Sequence, residues 1–255
     1  MKVIAIIPAR MNSSRFPGKP MEKIHGIPMI GHCYLRTKMS PELFETYVAT
    51  CDSEIYDYIE SIGGKAIMTS NSHERACDRA AEAMIKIEDL IKDKVDIVVM
   101  VQGDEPMVTP EMISQSIQPL MKDLSISVVN LMAYMKSSDE FEDPNEVKVV
   151  VNNNNEAIYF SREAIPSRSK FNGDIPMLKQ VCVIPFRRNY LLSFISMDET
   201  HLERIESVDM LRIIENGEKI KMVLTQVESF SVDTEKDLAY VEARMMNDKL
   251  MQEYN

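Results

Sequence analysis

Apolar strands alternate with amphipathic helices through the first 134 residues, and this alternation limits the folds open to the chain more than any other feature. Continuous apolar or β-branched runs occur at Val3–Ile7, Thr46–Thr50, Lys65–Thr69, Asp96–Asp104 and Ser125–Tyr134. Helical patterns fill the intervals, at Pro28–Met39, Asp52–Ile62, Arg75–Ile91 and Pro110–Lys122. Strands separated by helices of this length form right-handed βαβ units. We therefore predict an α/β fold with a mostly parallel sheet and helices on both faces.

The pattern changes from about Val147, where the strands become shorter. The runs VKVVV, AIYFS and KQVCVIPF are separated by the turn NNNN and the loop PSRSKFNGD. Asn tolerates positive φ, so the four asparagines predict a hairpin turn. Helical segments at 189–195 and 202–214, a strand IKMVLTQV and a helix from Thr234 to about Met251 complete the chain. We predict a single domain, 1–255, carrying a β-hairpin excursion at about 147–200.

Charge and cysteine usage exclude several classes of protein. The net charge of −11 opposes a main role in binding nucleic acid or an anionic membrane, because both partners demand a basic surface. The N-terminal apolar run is too short to span a membrane and lacks the features of a signal peptide. The four cysteines are widely spaced and form no CxxC pair, which predicts reduced thiols in a cytoplasmic protein.

A loop rich in cations follows the first strand of this otherwise acidic chain. In open parallel sheets, ligands bind outside the carboxyl ends of the strands. Guanidinium forks, hydroxyls, a glycine and an ammonium at such a place suit a polyphosphate. The loop matches neither a Walker A sequence nor GxGxxG. It is either a phosphate-binding loop or a solvated cationic turn, and the residues that supply these groups are Arg10, Ser13, Ser14, Arg15, Gly18 and Lys19.

Carboxylates stand at two further strand ends. Asp104 and Glu105 lie where the fourth apolar run stops, in VQGDEP. Mg²⁺ is commonly held there by one or two carboxylates and completes its shell with phosphate oxygens and water. Asp233, in FSVDTEKDL, is either a second such acid or the N-cap of the closing helix. Two carboxylates and a cationic loop together indicate a nucleotidyl-transfer site.

Eight segments, in order and over essentially the whole chain, resemble the 3-deoxy-manno-octulosonate (Kdo) cytidylyltransferase family. The most specific are the run PAR-x-x-S-S-R-x-PGKP and VQGDEP. The segments are IIPARMNSSRFPGKPMEKIHGIPMIGH, YVATCDSEI, GGKAIMTS, VQGDEPMVTPEMI, DPNEVKVV, AIYFSREAIP, ENGEKI and SVDTEKDL. The resemblance implies a Rossmann-like nucleotidyltransferase fold and a homodimer joined through the β-excursion. It also implies a Mg²⁺-dependent reaction of CTP with an acidic sugar-like acceptor, giving a CMP-sugar for lipopolysaccharide or another surface glycan, and pyrophosphate.

The same resemblance assigns roles to individual residues. The family's CTP-binding positions correspond to Ala9, Arg10, Ser13, Ser14, Arg15, Lys19, Arg79 and Gln102. Its metal carboxylates correspond to Asp104 and Asp233, which favours the metal role for Asp233 over the N-cap. The resemblance implies that Arg10, Arg15 and Lys19 hold the triphosphate and, with Asp104, act in catalysis.

The positions that face the acceptor depart from the family pattern. RACDR stands where the family has S-G-T-E-R, and Gln180 and Ile184 replace a His and a Tyr. The expected acceptor-binding residues are Arg75, Gln180, Ile184, Glu206, Asp209 and Met210. Arg75 is either an extra cation for an added anionic group or a solvent-facing helix residue. The acceptor is thus Kdo or another acid, such as an amino-octulosonate, a nonulosonate or a phosphonate.

A non-catalytic nucleotide-binding homologue is the alternative from a different class of protein. Such a protein has no need to keep both metal acids, whereas Asp104 and Asp233 are both present with Arg10, Arg15 and Lys19. The sequence therefore favours an enzyme.

Overall fold

The computed structural model of the protein describes residues 1–12 and 16–254. Within these ranges the strands are β1 (Val3–Ala9), β2 (Lys23–Ile24), β3 (Ile27–Pro28), β4 (Glu45–Thr50), β5 (Ala66–Met68), β6 (Ile97–Val101), β7 (Val129–Tyr134), β8 (Lys148–Val151), β9 (Ala157–Ser161), β10 (Leu178–Val181), β11 (Val183–Arg187) and β12 (Lys221–Leu224). The helices are α1 (Met29–Lys38), α2 (Ser53–Ser61), α3 (Ala76–Ile91), α4 (Pro110–Lys122), α5 (Ser138–Glu142), α6 (Arg188–Ile195), α7 (His201–Glu206), α8 (Met210–Glu215) and α9 (Glu235–Met245). Short 3₁₀ turns occur at Lys19–Met21 and Met251–Glu253.

The first sheet has the strand order β11-β6-β1-β4-β5, and all pairs except β11–β6 are parallel. Every residue of β1 and β6 is buried, as expected for strands that are covered on both faces. Side chains alternate along β1: Ile4 and Ile6 pack in the core that includes α3, whereas Ala5 and Ile7 pack in the core that includes α1, α2 and α4. The predicted fold class, α/β with helices on both faces, is confirmed.

A second, mixed sheet contains the strands that follow, in the order β12-β7-β10-β8-β9. The prediction that Ser125–Tyr134 continues the alternation of the parallel sheet is wrong, because β7 pairs with β12 and β10 instead. The predicted single strand KQVCVIPF is two strands, β10 in the second sheet and β11 in the first, with Cys182 between them. The position beside β6 at the edge of the first sheet is taken by β11, and β7 lies in the second sheet.

The predicted hairpin is present as β8 and β9, and Asn155 in its turn has a φ of 53°. The hairpin forms one side of the second sheet, where β9 is the edge strand. Val149 of β8 and Phe160 of β9 are buried in the same core as Ile4 and Ile6 of the first sheet. The hairpin therefore shares a core with the parallel sheet.

The predicted helices at the end of the chain are shorter than expected. The segment 202–214 forms two helices, because Ser207 adopts a left-handed conformation (φ 53°) that ends α7. The closing helix ends at Met245, before the predicted Met251. Its N-cap is Thr234, which forms a capping box with Asp237, so Asp233 is not the cap. Among the described residues, no helix has the length and apolar character needed to cross a membrane.

Candidate functional site

One lysine joins two aspartates at the carboxyl ends of the first sheet. Lys19 is buried, and its Nζ donates to Asp104 Oδ2 at 2.9 Å, to the Val232 carbonyl at 2.7 Å and to Asp233 Oδ1 at 3.2 Å. The three polar side chains come from segments more than 80 residues apart in the chain. The structure thus brings together the cationic loop and both carboxylates that the sequence singles out.

Two glycines allow this meeting. Gly18 has a φ of 77°, a left-handed conformation that glycine adopts without strain, and it turns the chain so that Lys19 begins a 3₁₀ turn. Gly103 lies against the end of β1, where an added Cβ would be 3.0 Å from the Pro8 carbonyl oxygen. A glycine here lets the end of β6, and therefore Asp104, approach β1 closely.

Electrostatics keep Lys19 charged. Burial lowers the pKa of its ammonium, but the Coulombic attraction and hydrogen bonds of Asp104 and Asp233 outweigh that effect and raise the pKa above its ordinary value. Within the described residues, the cluster thus joins one charged ammonium to two carboxyl groups.

A cleft at the strand ends, which we call the strand-end cleft, lies on one side of this cluster. Its lining includes five of the predicted CTP-binding residues, Ala9, Arg10, Lys19, Arg79 and Gln102. The other three, Ser13, Ser14 and Arg15, lie outside the described residues.

Arg79 lies in the wall of this cleft, where its guanidinium is engaged by neighbouring protein groups. Its side chain is buried and donates to the Thr69 hydroxyl and to the carbonyls of Ser70 and His73. Arg10, in contrast, is exposed. Among the described cations that line the strand-end cleft, Arg10 is thus the exposed one, Arg75 is partly exposed, and Lys19 is buried beside Asp104.

A second cavity, the inner cavity, lies on the other side of the cluster. Gln102 and Asp104 line both spaces, and Asp233 lines the inner cavity. Four of the six predicted acceptor-binding residues line it: Gln180, Ile184, Asp209 and Met210. Since Gln102 and Asp104 line both spaces, ligands in the two spaces would lie closest to one another near these side chains.

The remaining two predicted acceptor-binding residues are placed differently. Arg75 lines the strand-end cleft and not the inner cavity. Glu206 lines neither, because its carboxylate accepts hydrogen bonds from the hydroxyls of Tyr159 and Ser161 and from the Arg162 backbone N–H. Glu206 ties β9 to α7 and fixes the start of the segment that carries Arg162, which does line the inner cavity.

Sequence reasoning missed several charged residues of the inner cavity. Glu146, Arg162 and Lys179 all line it. The Lys179 ammonium is nearly inaccessible and pairs with Glu140 at 2.8 Å and with Glu146 at 3.2 Å. Lys179 lies within an apolar strand, and the apolar pattern gave no reason to expect a functional lysine there. The available signal for a charged cavity was Glu146, an acidic residue next to the strand in DPNEVKVV.

Glu105 is a further buried carboxyl group of the inner cavity. It accepts a hydrogen bond of 2.5 Å from the Ser229 hydroxyl and one of 3.4 Å from the Cys182 backbone N–H. Burial, reinforced by the neighbouring charge of Asp104, raises the pKa of Glu105 to about 7. The sequence identified Glu105 as a strand-end acid, but the family resemblance assigned no role to it.

The residues present fit a magnesium ion. Asp104 and Asp233 offer hard oxygen ligands and share one ammonium partner. Over residues 1–12 and 16–254, no group of three or more His, Cys, Asp and Glu side chains is arranged to hold a metal. Mg²⁺ is commonly held by two carboxylates and completed by substrate phosphates and water, so a two-carboxylate site beside a phosphate cleft suits it better than a fully protein-made cage would.

Comparison with known proteins agrees with this geometry. The sequence model of the family described as cytidylyltransferase matches residues 4–220. The chain belongs to the cytidylyltransferase family. It is therefore an enzyme, and the predicted class, a CTP-dependent nucleotidyltransferase, is confirmed.

Individual relatives cover almost the whole chain. A 3-deoxy-manno-octulosonate cytidylyltransferase of Geobacter metallireducens is 42% identical over 248 residues, covering 93% of this chain and 95% of its own. One of Thermodesulfovibrio yellowstonii is 43% identical over 249 residues, covering 95% and 97%. The solved structure of a CMP:2-keto-3-deoxy-manno-octonic acid synthetase complexed with CTP has a TM-score of 0.87 at 37% identity, covering 96% of this chain and 98% of that one. The predicted resemblance to this family is confirmed.

The buried carboxyl of Glu105 predicts a dependence of stability on pH. Its folded pKa of about 7 lies above the ordinary 4.5, so the native state holds a proton that the unfolded chain releases between these values. Protonated Glu105 therefore stabilises the native state at low pH, and this contribution is lost as the pH rises from about 4.5 through about 7. Between about pH 5 and pH 8 we expect the free energy of unfolding of the wild type to fall, relative to Glu105→Gln, by on the order of 2 kcal/mol.

Urea denaturation in the presence of a metal chelator measures this difference. Glu54→Gln, at an exposed position of α2, is the matched control and should show the pH profile of the wild type. Parallel pH profiles for the wild type and Glu105→Gln would contradict the prediction.

Proposed function

We propose that the enzyme transfers the cytidylyl group of CTP to Kdo, giving CMP-Kdo and pyrophosphate. The observation that carries this proposal is the Lys19–Asp104–Asp233 cluster, which lies between a cleft with phosphate-binding side chains and a separate polar cavity. The names of the relatives and of the similar CTP complex support Kdo as the acceptor. CTP is assigned to the strand-end cleft and the sugar acid to the inner cavity.

The transfer is an in-line displacement at the α-phosphorus. The anomeric hydroxyl of the acceptor approaches from the inner cavity, its oxygen bonds to the α-phosphorus and its proton is lost to solvent. The bond from the α-phosphorus to the bridging oxygen breaks, and pyrophosphate leaves through the strand-end cleft. Arg10 and Lys19 lie where they can stabilise the charge that develops on the phosphate oxygens, which is commonly a large part of catalysis. Arg15 is proposed to share this role on the basis of the sequence.

Asp104 and Asp233 are proposed to hold Mg²⁺. When bound, the ion supplies positive charge to the phosphate oxygens. In the proposed complex, Lys19 exchanges part of its contact with the two aspartates for contact with phosphate. Gln102, which lines both spaces, is placed to orient either substrate.

Removing either metal carboxylate should abolish turnover. For Asp104→Asn and Asp233→Asn we expect a loss of about 100-fold or more in kcat, on the scale of ~3 kcal/mol for a key electrostatic contact. Asp139→Asn, at an exposed position of α5, is the matched control and should retain full activity. Pyrophosphate release measures the rate, and circular dichroism checks the fold. Normal activity in either folded site variant would exclude that residue as a metal ligand.

A second candidate acceptor is an amino-substituted form of the same sugar acid. Glu146 lines the inner cavity, yet it shares the single ammonium of Lys179 with Glu140, so carboxylates exceed the local cation. Burial raises the pKa of Glu146, which is consistent with an incompletely balanced charge. An ammonium group on the acceptor would offset this excess.

A panel of acceptors distinguishes these candidates. Pyrophosphate release is measured with CTP, Mg²⁺ and Kdo, amino-octulosonate, a nonulosonate or a phosphonate. The main proposal expects Kdo to have the highest kcat/KM, with Glu146→Gln changing it by less than about threefold. The second candidate is supported if amino-octulosonate has the highest kcat/KM and if Glu146→Gln lowers that kcat/KM roughly tenfold or more. CTP binding without turnover of any acceptor would favour a non-catalytic homologue.

We also propose that the enzyme is a homodimer joined through the region of about 147–200. What supports this is the edge position of β9, whose Ile158 is 54% exposed. An edge strand with an exposed apolar side chain is suited to contact with a second copy. Ile158→Glu should convert a particle of twice 29.2 kDa into the monomer in sedimentation experiments. Leu90→Glu, at an exposed position of α3, is the control and should leave the mass unchanged; the proposal fails if both variants sediment as the wild type does.

A cytoplasmic location and a role in supplying a CMP-sugar for a surface glycan complete the proposal. The location is supported by the four cysteines, which are all free thiols. The role follows from the chemistry of the product, an activated sugar that a glycosyltransferase must consume.

A further inference from the structure

Arg75 occupies the boundary between the strand-end cleft and the residues that form the inner cavity. It is the N-cap residue of α3, and its side chain is about one-quarter exposed. Its guanidinium contacts three carboxylates: Glu199 at 2.5 Å, Asp209 at 3.4 Å and Glu203 at 4.0 Å. An arginine so engaged is poorly suited to bind an additional anionic group of the acceptor, which was one of its expected roles.

These three carboxylates differ in what else balances their charge. Glu203 is fully buried and forms two hydrogen bonds with Arg212, at 2.7 and 2.6 Å. Glu199 has a side chain that is 41% exposed and is therefore stabilised by water. Asp209 has neither a bidentate arginine nor such exposure, so Arg75 matters most to Asp209.

Asp209 connects Arg75 to the inner cavity. It lines that cavity immediately before α8. The groups that face it are Arg75 and Cys77 from the start of α3, Glu203 from α7 and Arg212 from α8. Burial raises the pKa of Asp209 and the charge of Glu203 adds to this, whereas Arg75 is the strongest opposing influence, ahead of Arg212.

We propose that Arg75 is a positioning residue that acts on the acceptor through Asp209. It holds the Asp209 carboxylate charged and oriented in the wall of the inner cavity, where the carboxylate accepts hydrogen bonds from hydroxyl groups of the sugar acid. The role in acceptor binding rests on the proposed function. The effect on Asp209 itself depends only on the contacts of this chain.

Titration of Asp209 tests the first step without any substrate. The ¹³C carboxyl signal of Asp209, assigned by its loss in Asp209→Asn, is followed against pH in the wild type, Arg75→Met and Arg75→Lys. The pKa should rise in Arg75→Met by about one unit or more, and Arg75→Lys should show a smaller rise because the cation is retained without its fork. An unchanged pKa in Arg75→Met overturns the proposal.

Arg188→Met is the matched control for this titration. Arg188 pairs with Glu88 at 2.6 Å, and it lines neither the strand-end cleft nor the inner cavity. Its replacement removes one arginine and one ion pair but should leave the titration of Asp209 unchanged. A comparable rise of the pKa in this variant would count against a specific effect of Arg75.

Steady-state kinetics with CTP and Kdo test the second step. Arg75→Met should raise the KM for Kdo roughly tenfold while changing the KM for CTP by less than about twofold. As the pH is lowered, kcat/KM for Kdo should decrease in both proteins. In Arg75→Met the decrease should begin at a higher pH than in the wild type, because the Asp209 carboxylate of the variant takes up its proton at a higher pH. In an Asp209→Asn background, Arg75→Met should have little further effect, because the two residues act as a unit.

The outcomes separate this proposal from the proposed function. A raised KM for CTP with an unchanged KM for Kdo, or fully additive effects in the double variant, overturns the positioning role. Should Arg75→Met fail to fold, Arg75→Lys carries the same comparison. If the wild type does not turn over Kdo, the proposed function fails, whereas the titration of Asp209 still decides whether Arg75 controls this carboxylate.

Discussion

The contact of one ammonium with two carboxylates organises this enzyme. Lys19 comes from the loop after β1, Asp104 from the end of β6 and Asp233 from the residue before the cap of α9. Charges of one sign repel one another, and the lysine that contacts both aspartates offsets that repulsion. Beside this contact, Gln102 and Asp104 line both the strand-end cleft and the inner cavity, and it is here that the proposed transfer would take place.

The inner cavity extends the same principle to a larger set of charges. Lys179 is placed between Glu140 and Glu146, Arg212 holds Glu203, and Arg75 is shared by Glu199 and Asp209. Lys179 and Arg75 each contact more than one carboxylate, so replacing either of them changes the surroundings of several charged groups. Breaking a buried ion pair is costly because it leaves the remaining charge unpaired. The cavity is therefore a coupled set of groups rather than a collection of independent contacts.

The sequence predicted the parallel part of the fold and the residues of the central cluster, but not the walls around it. β1, β4 and β6 were visible because strands buried on both faces are continuously apolar, and the strand-end rule then brought Lys19 and Asp104 together. The change of sheet at Cys182 was invisible, since no glycine or proline adjoins Cys182 and Pro185 of the same run lies inside β11. Lys179 was missed, and Arg75 was assigned to the acceptor although it lines the strand-end cleft. The reason is related: their partners, such as Glu140 and Glu199, are distant in sequence, and no periodic pattern connects them.

The change of sheet at Cys182 has a mechanical consequence. A single residue joins β10 to β11, so the two sheets are covalently linked at the floor of the inner cavity. Sliding of one sheet against the other would strain this junction, which is further restricted by its backbone hydrogen bonds to Gln102 and Glu105, and also the nearby bridge between Val128 and Phe186. A substitution at Cys182 would therefore disturb both sheets, whereas one at Met210 of α8 changes the lining of the inner cavity from a single helix. If the sugar acid binds there as proposed, new acceptors are best sought by changing such positions while the junction is left intact.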